Sequence, residues 1–428
     1  MKNRYTIIGN SAAAIGAVES IRKVDRESGI TLIASEPHHT YSRPLISYWL
    51  GGEVGDERMP YRDAGFYEEN GVDTMLAVEV TSVDPENRVL TTSDGEEVPF
   101  EKLLIATGGT PIVPPDVRGA DAEGVFTFTT WDDARAIEAY IEEHGVEKAL
   151  VVGAGLIGLK STEALAARGI EVTVVELADR VLSATFDQTA SRLAREAMEK
   201  AGVRTVCENT VGSVHAGEGR VCGVTLQDGT EIDVELVLFA IGVRPNTALV
   251  RNSSIQVDRG ILVDDQMETS VPGIYAAGDV AQARQLLSEE RRTLPILPTA
   301  YRQGSVAGSN MAGESRTYEG GVPMNSVDVF GLPTISVGMT NPDREDAECI
   351  TRHDEDEGTY KKLVLQNDRI VGAIFIGDIE RAGIFTGLIK EKVDVADFKD
   401  VLLSDDFGLL SLPADYRKHV VSGLGMEV

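Results

Sequence analysis

Cysteine is scarce in this chain. Only Cys207, Cys222 and Cys349 occur among 428 residues, and none forms a CxxC or CxxxxC spacing. A disulfide framework and a cysteine metal site are not expected on that pattern. Histidine is nearly as rare, with six residues, of which only His38 and His39 are neighbours. No metal-ligand cluster and no hydrolase nucleophile motif is present, so no metal is expected. Basic residues are outnumbered, 40 against 69 acidic ones, for a net charge of −29. Nucleic acid and anionic membrane surfaces are therefore poor partners. The acidity fits a solvated surface or a docking face for a partner subunit. No apolar run reaches about 18 residues, so no membrane span is expected. No separate signal peptide is expected at the start, MKNRYTIIGNSAAAIG, because its apolar residues read as part of a strand and a glycine motif. The expected setting is cytoplasmic.

What is present is a chain long enough for two or three domains. With 42% hydrophobic residues it can build compact cores. Its most informative stretch is Lys148 to Glu176. Ala149–Val152 is a short apolar run with the pattern of a buried parallel strand. Gly153-Ala-Gly155-Leu156-Ile157-Gly158 follows at once. A helix is expected from Leu159 to Arg168, ended by Gly169, and then a strand from Glu171 to Val175 with Glu176 at its tip. The first glycine allows a tight turn, the second lets the backbone approach a pyrophosphate, and the third lets helix and strand pack closely. The helix N-terminus offers unpaired N–H groups to phosphate. Glu176 is placed to accept from a ribose 2′-OH, and its charge would repel a 2′-phosphate, so NAD is favoured over NADP.

The N-terminus carries a degenerate copy. Arg4–Ile8 reads as a strand, Gly9-Asn-Ser11-Ala12-Ala13-Ala14 opens a helix to about Val24, and Ile30–Ala34 is a second strand with Glu36 beyond it. Ser11 replaces the middle glycine and Ala14 the third. Leu103–Pro111 runs as a strand into a turn at Ala106-Thr107-Gly108, and Leu238–Asn246 repeats that device at Gly242. Ile274–Val280 is a strand ending in Gly278-Asp279, where the carboxylate can accept a ribityl hydroxyl.

This ordered set resembles the FAD/NAD(P)H flavoproteins with two dinucleotide folds, a family that includes ferredoxin and rubredoxin reductases, NADH oxidases and the FAD portion of NADH nitrite reductase. The resemblance covers essentially the whole chain. It implies an α/β fold with two Rossmann-like domains of three-layer ββα/βα type and a C-terminal α+β domain. FAD is expected on residues 1–112 and 243–320, NAD(H) on 113–242, and an interface domain on 321–428. The FAD contacts implied are Gly9, Ser11, Ala12, Ala13, Glu36, Arg43, Pro44, Ala106, Thr107, Gly108, Gly278 and Asp279. Those for NAD are Gly153, Gly155, Leu156, Ile157, Glu176 and Gly242. Tyr41-Ser-Arg43-Pro44 is the segment that lies along FAD in the family, and an Arg fork suits phosphate oxygens. The helix containing Pro298–Gly304 would turn its N-terminus to the flavin pyrimidine ring.

Two departures stand out. The Tyr41–Trp49 segment has no redox cysteine, which disfavours disulfide exchange and cysteine-dependent peroxidase or oxidase chemistry. Family members also carry Lys where Tyr48 stands and Glu where Lys160 stands, paired beside the flavin; here Lys160 is expected to supply the positive charge and tune the flavin. From Gly320 on, Pro323–Gly338 alternates like two strands, and Tyr360–Leu365 with Arg369–Ile376 flank Gln366-Asn-Asp as a hairpin. The resemblance implies hydride transfer between NAD(H) and FAD, with electrons exchanged with a separate redox protein. The start Gly9–Ala14, the Tyr41–Leu45 segment and Lys160 resemble the NAD-coupling flavoprotein subunits of phenylglyoxylate dehydrogenase and of tungsten aldehyde oxidoreductase complexes. Iron–sulfur oxidoreductase subunits are thus the expected partners, in a homodimer or hetero-oligomer. The alternative is a stand-alone NADH oxidase or a rubredoxin/ferredoxin reductase.

Overall fold

A computed structural model describes residues 3–288, 290–342 and 347–412. The chain divides into two compact units, Met1–Leu177 with Glu208–Gly321, and Ala178–Cys207 with Val322–Val428.

In the first unit, Asn3–Ile8 (β1), the helix Ala12–Val24 (α1), Gly29–Ala34 (β2), Val72–Leu76 (β3) and Lys102–Ile105 (β4) come first along the chain. A second set follows: Val125–Thr127 (β5), Trp131–His144 (α2), Lys148–Val152 (β6), Leu156–Ala167 (α3), Glu171–Val175 (β7) and Leu236–Phe239 (β8). Ile274–Ala276 (β9) and the helix Leu297–Met311 (α4) close it. Strands β9-β4-β1-β2-β3 make one sheet in that order, every pair parallel. In the other sheet β7-β6-β8-β5 lie side by side, again parallel. Central strands are apolar on both faces, as burial by covering layers demands: Tyr5, Ile7, Leu103, Leu104, Leu150, Val151 and Leu238 are all buried. Each sheet carries a small antiparallel companion, Val80–Asp84, Val89–Thr92 and Glu97–Pro99 for the first, and Val211–Gly217, Arg220–Leu226 and Glu231–Ile232 for the second.

The two folds are joined by two crossings that run side by side. Gly109–Pro111 pairs antiparallel with Val243–Pro245, and the Asn246 N–H donates to the Gly108 carbonyl at 2.9 Å. The fold around β6 is thus inserted into the fold around β1 through one two-stranded neck.

Helix α4 crosses α1 at backbone distance. A Cβ placed on Gly304 would stand 1.9 Å from the Ala13 carbonyl oxygen, one on Gly308 2.4 Å from that of Ala17, and one on Gly16 2.3 Å from that of Tyr301. Only glycine fits at these points, since real Cβ atoms do not approach so closely. This crossing was not foreseen, although Gly304 and Gly308, like Ala13 and Ala17, share a helix face by their four-residue spacing.

In the second unit, the strands Met324–Val329, Leu332–Gly338, Arg369–Ile376, Thr359–Gln366 and Glu348–Asp354 form an antiparallel sheet in that order. The expected hairpin is there, and Asn367 and Asp368 both take positive φ (50° and 53°), the two-residue turn that matches strand twist. Ala382–Lys390 packs on this sheet through Phe385, which lies 5.1 Å from the Phe375 ring. The helix Gln188–Lys200 also belongs to this unit and packs against the strands Met324–Val329 and Arg369–Ile376. Asp187 fastens it. Its carboxylate caps the helix at the Ala190 N–H (3.0 Å), accepts from the Tyr360 hydroxyl (2.7 Å) and meets Lys362 Nζ at 3.0 Å. Among the described residues no helix is long and apolar enough to cross a membrane.

Candidate functional site

The C-terminal edges of the two parallel sheets carry the glycine loops. In the first, Gly9 has φ +113°, and a Cβ there would lie 2.2 Å from the Ala106 carbonyl oxygen. The Gly9 loop and the Ala106-Thr107-Gly108 turn therefore abut backbone to backbone. Gly278, at φ +82°, brings the end of β9 to Ala13, whose Cβ would be 3.3 Å from one added at Gly278. The Gly278 N–H donates to Gln303 Oε1 at 2.9 Å, and Thr107 Oγ1 to the Asn246 carbonyl at 2.8 Å. Gly9, Ser11, Ala12, Ala13, Ala106, Thr107, Gly108, Gly278 and Asp279 are thus gathered around the N-terminus of α1.

That N-terminus lacks a side-chain cap: Ser11 stands at the cap position in extended conformation without bonding the first turn. Gly155 leaves α3 in the same condition. Helix α2, which opens no glycine loop, has a full capping box between Thr130 and Asp133. The two helices expected to face phosphate carry no side-chain cap, which leaves their first N–H groups for a ligand. Glycine cradles and uncapped helix ends fit a dinucleotide at each loop.

Glu36 and Arg43 form an ion pair, and Glu36 Oε2 also accepts from the Tyr41 hydroxyl at 2.6 Å. Pro44 lies in the 3₁₀ turn Arg43–Leu45. Arg43 reaches the Thr129 carbonyl with its other nitrogen, at 2.7 Å. Burial pushes the Asp279 carboxyl above the ordinary carboxylate range, and the positive charge of Arg43 only partly offsets this. Asn10 inside the loop is held by Tyr67, whose hydroxyl donates to Asn10 Oδ1 (2.7 Å), and by the His38 carbonyl (3.1 Å). Nothing in the sequence signals that network, because its members lie far apart along the chain.

In the second loop, Glu176 Oε2 accepts the Ala154 N–H at 2.6 Å. The acid at the tip of β7 is thereby oriented by the glycine loop itself. Gly153 has φ +105°, with a Cβ meeting the Ala240 carbonyl oxygen at 2.6 Å, and a Cβ on Gly158 would stand 1.9 Å from the Gly153 carbonyl oxygen. Helix α3 begins at Leu156 rather than at the expected Leu159. Gly155 is its N-cap, so Leu156, Ile157 and Gly158 form the first turn. The third glycine is a helical residue packed on the loop, not part of the loop. Gly242 takes φ +114° at the neck between the folds.

Lys160 points from α3 to the short helix Ile46–Leu50. Its Nζ lies 4.9 Å from the Tyr48 ring centroid and pairs with Glu163 one turn on. Burial acts to lower the ammonium pKa, but Glu163 and Tyr48 outweigh it and hold the group above its ordinary value. Positions 48 and 160 therefore meet, and the charge on Lys160 is matched on its own helix by Glu163.

Residues 3–304 match the pyridine nucleotide-disulphide oxidoreductase family, and 323–393 match the C-terminal domain of rubredoxin NAD+ reductase. The chain belongs to this family. It is an oxidoreductase whose cofactors are FAD and NAD(H). It is 34% identical to nitrite reductase [NAD(P)H] of Bacillus subtilis over 92% of this chain, and spans 48% of that relative. With the NADH-dependent phenylglyoxylate dehydrogenase subunit epsilon of Aromatoleum evansii it shares 33% identity over 92% of this chain and 93% of the relative. A solved NAD-dependent persulfide reductase from A. fulgidus superposes with a TM-score of 0.84 at 27% identity, covering 92% of this chain and 78% of that one.

Proposed function

We propose that this flavoprotein passes electrons between NAD(H) and a separate redox protein, as the NAD-coupling subunit of an iron–sulfur or tungsten oxidoreductase complex in the cytoplasm. The observation that carries the proposal is the placement of the cysteines. Cys222 lies exposed on the strand Arg220–Leu226, Cys349 lies exposed in the second unit, and Cys207 stands outside both glycine loops. None stands on the elements around Gly9, Tyr41 and Gly278. The near end-to-end match to a subunit of an NADH-dependent dehydrogenase supports a multi-chain setting.

In this reading the division is FAD on 1–112 and 243–320, NAD(H) on 113–242, and an interface domain on 321–428. When bound, FAD supplies the chemistry that joins a two-electron hydride donor to one- or two-electron acceptors. The chain's own part is to bind, orient and exclude water. The α1 N-terminus with Ser11, Ala12 and Ala13 would hold the FAD pyrophosphate, Glu36 its ribose, and Asp279 its ribityl chain. Arg43 with Pro44 would back the pyrophosphate, and Ala106-Thr107-Gly108 would wall the site. Gly153, Gly155, Leu156 and Ile157 would hold the NAD pyrophosphate, Glu176 its ribose, and Gly242 would leave room at the neck. Lys160, beside Tyr48, would favour reduced flavin where bound nucleotide draws its ammonium away from Glu163. In Lys160→Ala a lowered flavin potential and slower reduction by NADH are expected; unchanged values of both would sink that role.

Purification from the native source with spectra tests the whole reading. A tungsten or iron–sulfur subunit that co-purifies supports it. A single chain that turns over NADH with O₂ favours the stand-alone oxidase, and one that reduces rubredoxin or ferredoxin favours the reductase alternative, which the C-terminal match makes specific.

A further inference from the structure

The chain has two tryptophans, Trp49 and Trp131. Their ring centroids lie 6.2 Å apart, nearly perpendicular. Trp131 is the first residue of α2, and Trp49 sits on the short helix Ile46–Leu50. Around Trp131 stand His38 at 5.1 Å, Tyr41 at 5.7 Å and the Arg135 guanidinium 4.1 Å over the ring. This cluster lies where the first nucleotide fold meets the start of the second.

Beneath it runs a chain of polar contacts. The Tyr41 hydroxyl donates to Glu36 Oε2 at 2.6 Å and accepts the Trp131 backbone N–H at 3.1 Å. Arg43 does the parallel task, pairing with Glu36 and donating to the Thr129 carbonyl. The same two side chains thus hold the carboxylate beyond β2 and the backbone that leads into α2. Thr130 and Asp133 lock residues 129–133 to α2 through the capping box. Tyr41 is 7% exposed. Burial keeps its phenol well above the usual value, so it remains a donor at neutral pH.

We propose that Tyr41 is a positioning residue that couples FAD at Glu36 to the seating of α2, and through it to NAD(H) binding by the second fold. The inference rests on FAD occupying the Glu36 side of the first fold. A carboxylate offers about four lone-pair sites. Tyr41 and Arg43 use one oxygen each, which leaves acceptors for a ribose diol. A diol that fixes the carboxylate fixes the phenol, and the phenol fixes the Trp131 N–H. By linkage the effect is mutual: bound NAD(H) must tighten FAD by the factor with which FAD tightens NAD(H), and that gain is expected in the rate of FAD release.

The test starts from the holoprotein. FAD release is followed by the rise of flavin fluorescence, with and without saturating NAD+, while tryptophan emission reports on the junction. In the wild type, NAD+ is expected to slow release roughly tenfold, the worth of one buried hydrogen bond. In Tyr41→Phe, which keeps the ring, the two release rates converge and KM for NADH rises with kcat retained. Equal slowing by NAD+ in wild type and Tyr41→Phe overturns the proposal. Arg43→Lys guards against a folding defect in Tyr41→Phe, since it keeps the charge at Glu36 but gives up the fork that also reaches Thr129. Faster amide exchange at Thr129–Trp131 is expected in either variant, and unchanged exchange in both overturns the proposal. Wild-type protein that takes up no FAD would overturn the underlying reading instead, and that failure is visible before any variant is compared.

Discussion

The loops Gly9–Ala14 and Gly153–Gly158 occupy the same place in two similar sheets, yet they solve one packing problem in different ways. Both first glycines are forced, with positive φ and a neighbouring carbonyl within 2.2 and 2.6 Å of any Cβ. At the middle position a Cβ on Gly155 would meet nothing within 4 Å, so the serine at 11 costs the first fold little. The third position separates them. Gly158 has the Gly153 carbonyl oxygen 1.9 Å from where its Cβ would be, whereas Ala14 carries a real Cβ and is fully buried. In the first fold the demand for glycine has moved to the far side of the helix, where Gly16, Gly304 and Gly308 let α1 and α4 touch. The lesson is that the fingerprint records where backbones approach, and the approach can sit on another helix.

The comparison is broken most severely by adding one methyl at each closest point. Gly158→Ala and Gly304→Ala should each cost roughly 1–3 kcal/mol by overpacking. The first should raise the NADH dissociation constant with FAD retained, and the second should release FAD first. Thermal unfolding with flavin absorbance distinguishes them; the same phenotype in both would undo the contrast. Next comes Glu176→Ala, which strands the Ala154 N–H and removes the proposed ribose acceptor. A rise of about tenfold or more in KM for NADH is expected, with a smaller change for NADPH, read from the ratio of kcat/KM values.

The acids of the two sites sharpen the contrast further. Asp279 has its folded pKa raised above the ordinary 3.8 by burial, so its ionised form is disfavoured in the FAD-free protein. The FAD-free protein therefore loses stability as pH rises from that ordinary value through the raised one. Asp279→Asn should make FAD-free protein more heat-stable at neutral pH and flatten that decline, while weakening FAD binding. Thermal scans across pH with and without FAD check it, and a neutral-pH destabilisation of the FAD-free variant would refute it. The smallest effect belongs to Ala14→Gly, which restores the third glycine of the first loop. It should destabilise by about 0.5–1 kcal/mol through helix entropy, with up to about 1 kcal/mol more for the buried methyl it removes, and FAD affinity unchanged.

Much of this architecture was legible in the sequence because it is local. Strand, glycine loop, helix and acid lie within about thirty residues, the size of one such βαβ unit, and the chemistry of each follows from its neighbours. Glu176, Gly278 and the Asn367-Asp368 turn were found that way. What stayed hidden is pairing across the chain. Helix α3 begins three residues early because Gly158 must pack on Gly153, and Lys160 faces Glu163 as well as Tyr48 because all three share one corner. Tyr41 was visible only as part of a family-like segment. Its two hydrogen-bond partners are Glu36 and the backbone of Trp131, 90 residues away, a distance that no periodicity spans.

The path of the chain also governs how this protein can be cut. Residues 178–207 leave the first unit after Leu177 and rejoin it at Glu208. Between those points, Phe186, Ala190, Ala194 and Met198 are buried, and Asp187 is held by Tyr360 and Lys362 from the C-terminal sheet. A truncation after Gly321 would therefore do more than remove a tail. It would leave the inner face of an amphipathic helix, with Ala190, Ala194 and Met198, and an acid with no cover in the middle of the remaining polypeptide. A shortened gene would thus yield an aggregating product, and the last hundred or so residues have to be inherited together with the nucleotide folds.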